Sequence, residues 1–83
     1  MSYFTYIAQC SDDTLYTGYT NNIKDREQTH NEGKGAKYTK ARLPIKIVYS
    51  EEFQTRSQAM KREYQIKKIS RQQKQNLIDK PKS

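Results

Sequence analysis

The chain has one cysteine, Cys10, so no disulfide can close within it. One cysteine and one histidine, His30, are too few for a structural zinc site, which takes four Cys or His ligands. No apolar run approaches the ~18 residues that a membrane-spanning helix needs. The opening Met1-Ser2-Tyr3-Phe4 lacks the basic start and apolar stretch of a secretory signal, so the cytoplasm is the default expectation. There is no internal repeat and no low-complexity segment. Hydrophobic residues make up only 33% of the chain, and acids are outnumbered, nine against sixteen bases.

What remains is an 83-residue chain, the size of one domain. A domain this small buries roughly 60% of the surface its unfolded chain exposes, so its core is thin. Nine aromatic residues, seven of them Tyr, supply much of the burial. The net charge of +7 is unevenly placed. Residues 1–32 carry two bases and five acids; residues 33–49 carry five bases and no acid; residues 61–83 carry eight bases and two acids. Such blocks fit a polyanionic partner, most often nucleic acid.

Tyr3 to Cys10 reads as a strand, with Phe4, Tyr6, Ala8 and Cys10 on one face. A polar turn, Ser11 to Thr14, leads to a second strand from Leu15 to Thr20, which makes a β-hairpin. A helix from Ile23 to about Asn31 follows, capped by Asn22 and stopped by Gly33 and Gly35. Residues 33–44 read as a basic loop that ends at Pro44. Ile45 to Phe53 reads as a third strand with Ile45, Ile47 and Tyr49 alternating. Thr55-Arg56-Ser57-Gln58 and Ser70-Arg71-Gln72-Gln73 are capping boxes; they start a helix ending near Lys68 and a short one ending near Ile78. The expected fold is α+β: a three-stranded, mostly antiparallel sheet flanked by helices in the order β-β-α-β-α-α. A single domain covers residues 1–83, with 79–83 expected to fray.

On the second helix, at 100° per residue, Ala59 at zero puts Ile66 near about −20°, Glu63 near about 40°, Met60 near about 100° and Tyr64 near about 140°. Glu63 thus falls inside the apolar stripe, where an unpaired carboxylate is costly. It is neutral, paired with a base such as Lys67 at i+4, or bound to a cation. Arg26 and His30 share a face of the first helix; the plain alternative is a solvated face with Arg26 paired to Glu27 or Glu32. Gly18 weakens its strand unless backbone or ligand approaches closely there.

Taken together, Tyr6 in the first strand, Tyr16-Thr17-Gly18 in the second, Arg26 and His30 in the first helix and Glu63 in a later one resemble the GIY-YIG nuclease superfamily. The resemblance runs from about Tyr3 to Ile78. It is greatest to the small, stand-alone bacterial members, through Leu15-Tyr16-Thr17-Gly18, Gly33-Lys34-Gly35-Ala36-Lys37-Tyr38-Thr39 and Glu63-Tyr64-Gln65-Ile66-Lys67-Lys68. Two departures stand out: the first tripeptide is Phe4-Thr5-Tyr6, and Tyr19-Thr20-Asn21 stands where some members have a Lys.

The resemblance implies an endonuclease that hydrolyses phosphodiester bonds, usually in DNA, with one divalent metal, Mg²⁺ or else Mn²⁺, held at Glu63. It implies that Tyr16 or Tyr6 helps deprotonate the attacking water and that Arg26 meets the phosphate, with His30 standing in for the missing Lys. A nucleic-acid-binding module that keeps the fold without turnover is the other reading. Lys34, Lys37, Lys40, Lys67, Lys68 and Arg71 are the expected phosphate contacts, and Tyr38 a base-stacking surface. The chain is expected to act as a monomer, to bind DNA in preference to RNA and to select by backbone and shape, or through a protein partner that supplies specificity.

Overall fold

The computed structural model describes residues 2–80. Strand β1 (Tyr3–Gln9) and strand β2 (Leu15–Thr20) form the hairpin, and helix α1 (Ile23–Asn31) follows. A one-turn helix α2 (Lys37–Lys40) comes next, then strand β3 (Lys46–Phe53), helix α3 (Arg56–Lys68) and helix α4 (Arg71–Asp79). The sheet is antiparallel throughout, in the order β2-β1-β3. The expected fold class is therefore the observed one, except that the basic loop contains α2. Of the residues expected to fray, Asp79 is helical and the Lys80 amide donates to the Asn76 carbonyl, while residues 81–83 lie outside the described residues.

The helix boundaries follow from local chemistry. Asn22 Oδ1 accepts from the Asp25 amide at 3.1 Å. Both capping boxes form in full at Thr55 and Ser70. At the end of α1, Gly33 takes φ +78°, its amide donates to the His30 carbonyl, and the Lys34 amide donates to that of Thr29. This is the double hydrogen bond of a Schellman motif, and glycine is the residue that adopts that φ without a Cβ penalty.

β1 is the central strand, so both of its faces are covered. Thr5, Tyr6, Ile7 and Ala8 have no accessible surface. Ile7, its partner Thr17 and Thr5 lie under α3, where the Thr5 hydroxyl donates to the Ala59 carbonyl at 2.7 Å. The opposite face carries Tyr6, Ala8 and Cys10, packed with Ile45, Ile23, Leu43 and Ile47. The expected alternation in β3 breaks at a bulge. Ala8 pairs with Ile47 but Ile7 pairs with Tyr49, so Val48 is the extra residue and Tyr49 faces α3 while Ile47 faces α1. The Glu27 carboxylate accepts from the Ile47 amide at 2.8 Å beside this bulge, and Asn31 bonds both backbone groups of Ile45, at 2.7 and 3.1 Å. On the α3 side, Arg62 grips Glu51 through Nε and a terminal nitrogen at 3.0–3.1 Å. Tyr49 donates to the same carboxylate; burial and that carboxylate push its phenol up to about 12.

The stripe that α3 buries is narrower than its helical phase predicts. Ala59 and Ile66 are fully buried, whereas Met60 and Tyr64 stay 43% and 62% exposed. Ile66→Ala should therefore lower the unfolding free energy by roughly 2–5 kcal/mol, and Met60→Ala should change it by less than about 0.5 kcal/mol. Urea unfolding of the two variants checks this, and comparable losses would mean that α3 is turned differently on the sheet.

Candidate active site

The site begins at a close approach between strands. Tyr6 pairs with Gly18, and its ring lies across that glycine: a Cβ at position 18 would stand 2.6 Å from the Tyr6 hydroxyl and 2.8 Å from Cζ. No other residue type leaves room for the phenol. From there the hydroxyl reaches α1, where it lies 2.9 Å from His30 Nε2 and accepts from Arg26 Nε–H at 3.4 Å. Arg26 and His30 share one face of α1, as their i, i+4 spacing requires, but that face is not solvated: His30 has no accessible surface. Nor does Arg26 pair with Glu27 or Glu32. Glu27 serves the Ile47 amide, and Glu32 accepts from Gln28.

The other side of the imidazole is closed by the basic segment. His30 Nδ1 lies 2.7 Å from Thr39 Oγ1, and the Thr39 hydroxyl donates to the Ala36 carbonyl at 2.9 Å. A carbonyl only accepts, so the Thr39 proton is committed there, and Thr39 must accept from His30 Nδ1–H. His30 Nε2 is then a bare lone pair, and the Tyr6 hydroxyl donates to it. The directions run Arg26 to Tyr6 to His30 to Thr39 to Ala36. Gly35 makes the approach possible, because a Cβ there would fall 2.2 Å from Nδ1. Gly33 ends the helix as expected; Gly35 serves the imidazole instead. Sequence reasoning missed Thr39 because one threonine among lysines has no periodicity that marks it as buried.

Burial keeps both central groups neutral. It pushes the Tyr6 phenol up, against the pull of the Arg26 hydrogen bond and charge, with the charges of Tyr16 and Glu63 adding to the rise. It pushes His30 down, and the Arg26 charge lowers it further. Tyr16, half-buried, sets its ring against His30 at 5.6 Å between centroids and against Tyr6 at 6.5 Å. Its other neighbour is Tyr38, stacked at 5.8 Å, over which the Arg42 guanidinium sits at 4.0 Å. The expected base-stacking ring thus already engages two side chains.

Glu63 retains 18% of its side-chain exposure, and Lys67 Nζ stands 3.6 Å from it. The i+4 pairing foreseen as the alternative to a cation is present, but at a distance beyond a hydrogen bond and with Lys67 half in solvent. With its base half in solvent and its length beyond a hydrogen bond, the pair is held to the ~0–1 kcal/mol of a screened surface pair. Among the described residues no group of three or more His, Cys, Asp and Glu could cage a metal. A lone carboxylate nevertheless suits a hard cation such as Mg²⁺, which is usually held by one or two carboxylates, waters and substrate phosphates. Of the expected phosphate contacts, Lys34, Lys37 and Lys40 are exposed around α2. Lys68 lies over the Tyr64 ring at 4.1 Å, and Arg71 donates to the Asp13 carbonyl at 2.7 Å, tying α4 to the hairpin turn. A cleft of about 480 Å³ opens beside Arg26, lined also by Tyr3, Tyr19, Thr20, Asn21 and Arg56.

His30 is the only histidine, so it is the one side chain whose ordinary value lies between about pH 5 and 7.5. Its folded value lies below the unfolded value of ~6.5. The unfolded chain therefore takes up the proton first as pH falls. The stability conferred by the neutral ring is complete above about pH 6.5 and is lost as pH drops through the folded value. Tm should fall between pH 7.5 and 5, and His30→Gln should flatten that slope. An unchanged slope in the variant would place the titrating group elsewhere.

No helix among the described residues is long and apolar enough to cross a membrane. The GIY-YIG catalytic domain matches residues 2–76. A UPF0213 protein of Staphylococcus haemolyticus is 56% identical over 77 residues, 93% of this chain and 94% of that protein. One of Bacillus licheniformis is 54% identical over 78 residues, 94% of this chain and 80% of that protein. The solution NMR structure of a UPF0213 protein from Bacillus halodurans superposes with a TM-score of 0.59 at 41% identity, covering 94% of this chain and 83% of that one. The solution NMR structure of a protein from E. faecalis gives 0.61 at 40% identity, covering 92% of this chain and 81% of that one. With a catalytic-domain match over nearly its whole length and relatives of the same fold, the chain belongs to the GIY-YIG nuclease family.

Proposed function

We propose that this chain is a metal-dependent endonuclease that hydrolyses phosphodiester bonds in DNA and selects its substrate by structure rather than by base sequence. The observation that carries the reading is the hydrogen-bonded relay that ends in Arg26. A buried histidine of fixed tautomer orients a buried phenol, and the phenol orients a guanidinium that lines an open cleft. In-line displacement loads negative charge onto the phosphoryl oxygens, and a planar guanidinium held in advance meets that charge without reorganising. Tyr6 and His30 act through Arg26: neither has surface from which to touch water or substrate.

The deprotonating group is Tyr16, the phenol at the site that solvent reaches. It takes the proton of the attacking water as the water oxygen bonds to phosphorus and the bond to the leaving oxygen breaks. In this step it acts as the phenolate and becomes the phenol as it takes the proton. Glu63 would hold the divalent cation, which when bound supplies Lewis acidity at the phosphate and leaving oxygens. Lys34, Lys37 and Lys40 add backbone affinity beside the site; contacts of this kind read charge and shape, not base edges.

Glu63→Gln keeps volume and removes the charge. Cleavage of labelled branched and nicked DNA in Mg²⁺ or Mn²⁺ should vanish, while Tm and DNA binding stay near the parent values, because the Lys67 pair is weak. A destabilised variant that still cuts would make Glu63 a structural partner of Lys67 and end the metal assignment. Arg26→Ala should slow cleavage by ~10²–10³ and weaken binding much less, since the charge it meets grows only in the transition state. Equal losses would make Arg26 a plain phosphate anchor.

A further inference from the structure

The cleft beside Arg26 has a chemistry of its own. Its lining comes from the start of β1 (Tyr3), the end of β2 and the turn after it (Tyr19, Thr20, Asn21), α1 (Arg26) and the first turn of α3 (Arg56). Two guanidiniums from different helices enter it, and no carboxylate lines it. The Arg26 end is fixed through Nε to Tyr6, which leaves its terminal nitrogens to the cleft. The Arg56 end is fixed too. Its Nε and one terminal nitrogen both donate to the Tyr19 hydroxyl, at 3.3 and 3.1 Å. A hydroxyl that accepts twice still has its own proton to give, and no acceptor for that proton is found among the described residues. Arg56 forms no ion pair with any described acid. Donors without acceptors, cationic at two ends and held in place by phenols, make a site for an anion that presents several oxygens.

The volume, about 480 Å³, exceeds what one phosphate needs and suits a phosphate with its attached sugar. We infer that this cleft is a second phosphate subsite: Arg56 and the Tyr19 hydroxyl bind the backbone phosphate next to the one that Arg26 meets, on the same nucleic-acid strand. The inference rests on the nuclease reading for Arg26 and adds to it a clamp that holds two consecutive phosphates. A single strand held at two neighbouring phosphates has its path set through the site. The subsite would thus position the strand by its backbone and without regard to base, and Arg56 is a positioning residue in that sense.

The probe is thymidine 3′,5′-bisphosphate, whose two phosphates are spaced as in a strand. It is titrated against thymidine 5′-monophosphate and inorganic phosphate, by calorimetry and amide NMR, in chelator so that nothing turns over. The parent protein should bind the bisphosphate about tenfold tighter than the monophosphate, the worth of one charge-assisted phosphate contact. Arg56→Ala should bring that ratio close to one, and Tyr19→Phe should lower it by roughly two- to threefold. Arg26→Ala should weaken both nucleotides and leave much of the ratio in place. The Arg56 side chain is exposed, so Arg56→Ala should keep the parent Tm and amide spectrum. A bisphosphate preference that survives Arg56→Ala overturns the inference. So does inorganic phosphate binding as tightly as the bisphosphate, which would mark a pocket for free anions. The nuclease reading fails separately: a protein that never cuts DNA but shows the Arg56-dependent ratio keeps the subsite, and one that cuts with a ratio indifferent to Arg56 does not have it.

Discussion

Everything at the site depends on the Tyr6 hydroxyl lying within reach of α1, and this in turn depends on the ring passing over Gly18. The strand pairing sets Tyr6 opposite Gly18, and the missing side chain lets the phenol lie flat against the neighbouring strand rather than stand away from it. From that position one oxygen serves two groups of α1 that are a helical turn apart, accepting from Arg26 and donating to His30. Remove the space over Gly18 and the phenol must move, the imidazole loses its donor and Arg26 loses its anchor. Gly35 plays the matching part from the other side by letting the backbone of the basic segment come down onto the imidazole. Two glycines thus hold the relay in place by leaving space for it.

The relay is neutral where it is buried and charged where it meets solvent. A buried ion costs much more than a buried, hydrogen-bonded neutral group. Burial keeps the Tyr6 phenol protonated and His30 unprotonated, so each can bond the other without charge. The one cation attached to the chain, Arg26, sits at its end and lines the cleft. The surface bases lie away from this relay. Lys34, Lys37 and Lys40 are exposed, and so are Lys68 and Arg71, which also touch the Tyr64 ring and the Asp13 carbonyl.

Local chemistry was legible in the residue order, because a cap or turn involves only a few neighbouring residues. Asn22, Thr55 and Ser70 as caps, Gly33 as the stop of α1, the hairpin and the order of elements could all be read that way, and the grouping of Tyr6, Tyr16, Arg26, His30 and Glu63 followed from the resemblance. Period and phase were less informative. The alternation Ile45, Ile47, Tyr49 is regular in the sequence, yet the Val48 bulge sends Tyr49 to the other face, because it is the pairing with Ile7 and Ala8 that sets the register. The apolar arc of α3 reaches Tyr64 on a helical wheel, yet the sheet covers only as far as Glu63.

The sequence by itself determined which elements form, where the helices begin and end, and which side chains have the chemistry for phosphate and for a hard cation. Only the tertiary structure decided that Thr39 sets the tautomer of His30, that Tyr6 is sealed while Tyr16 meets solvent, and that Arg56 and Tyr19 share a cleft with Arg26. The physical reason is separation along the chain. Caps and turns bond residues three or four positions apart, whereas Tyr6 to His30 spans 24 positions and Tyr19 to Arg56 spans 37. Contacts that long are set by how the sheet stacks against its helices, and residue order carries no periodicity that records it.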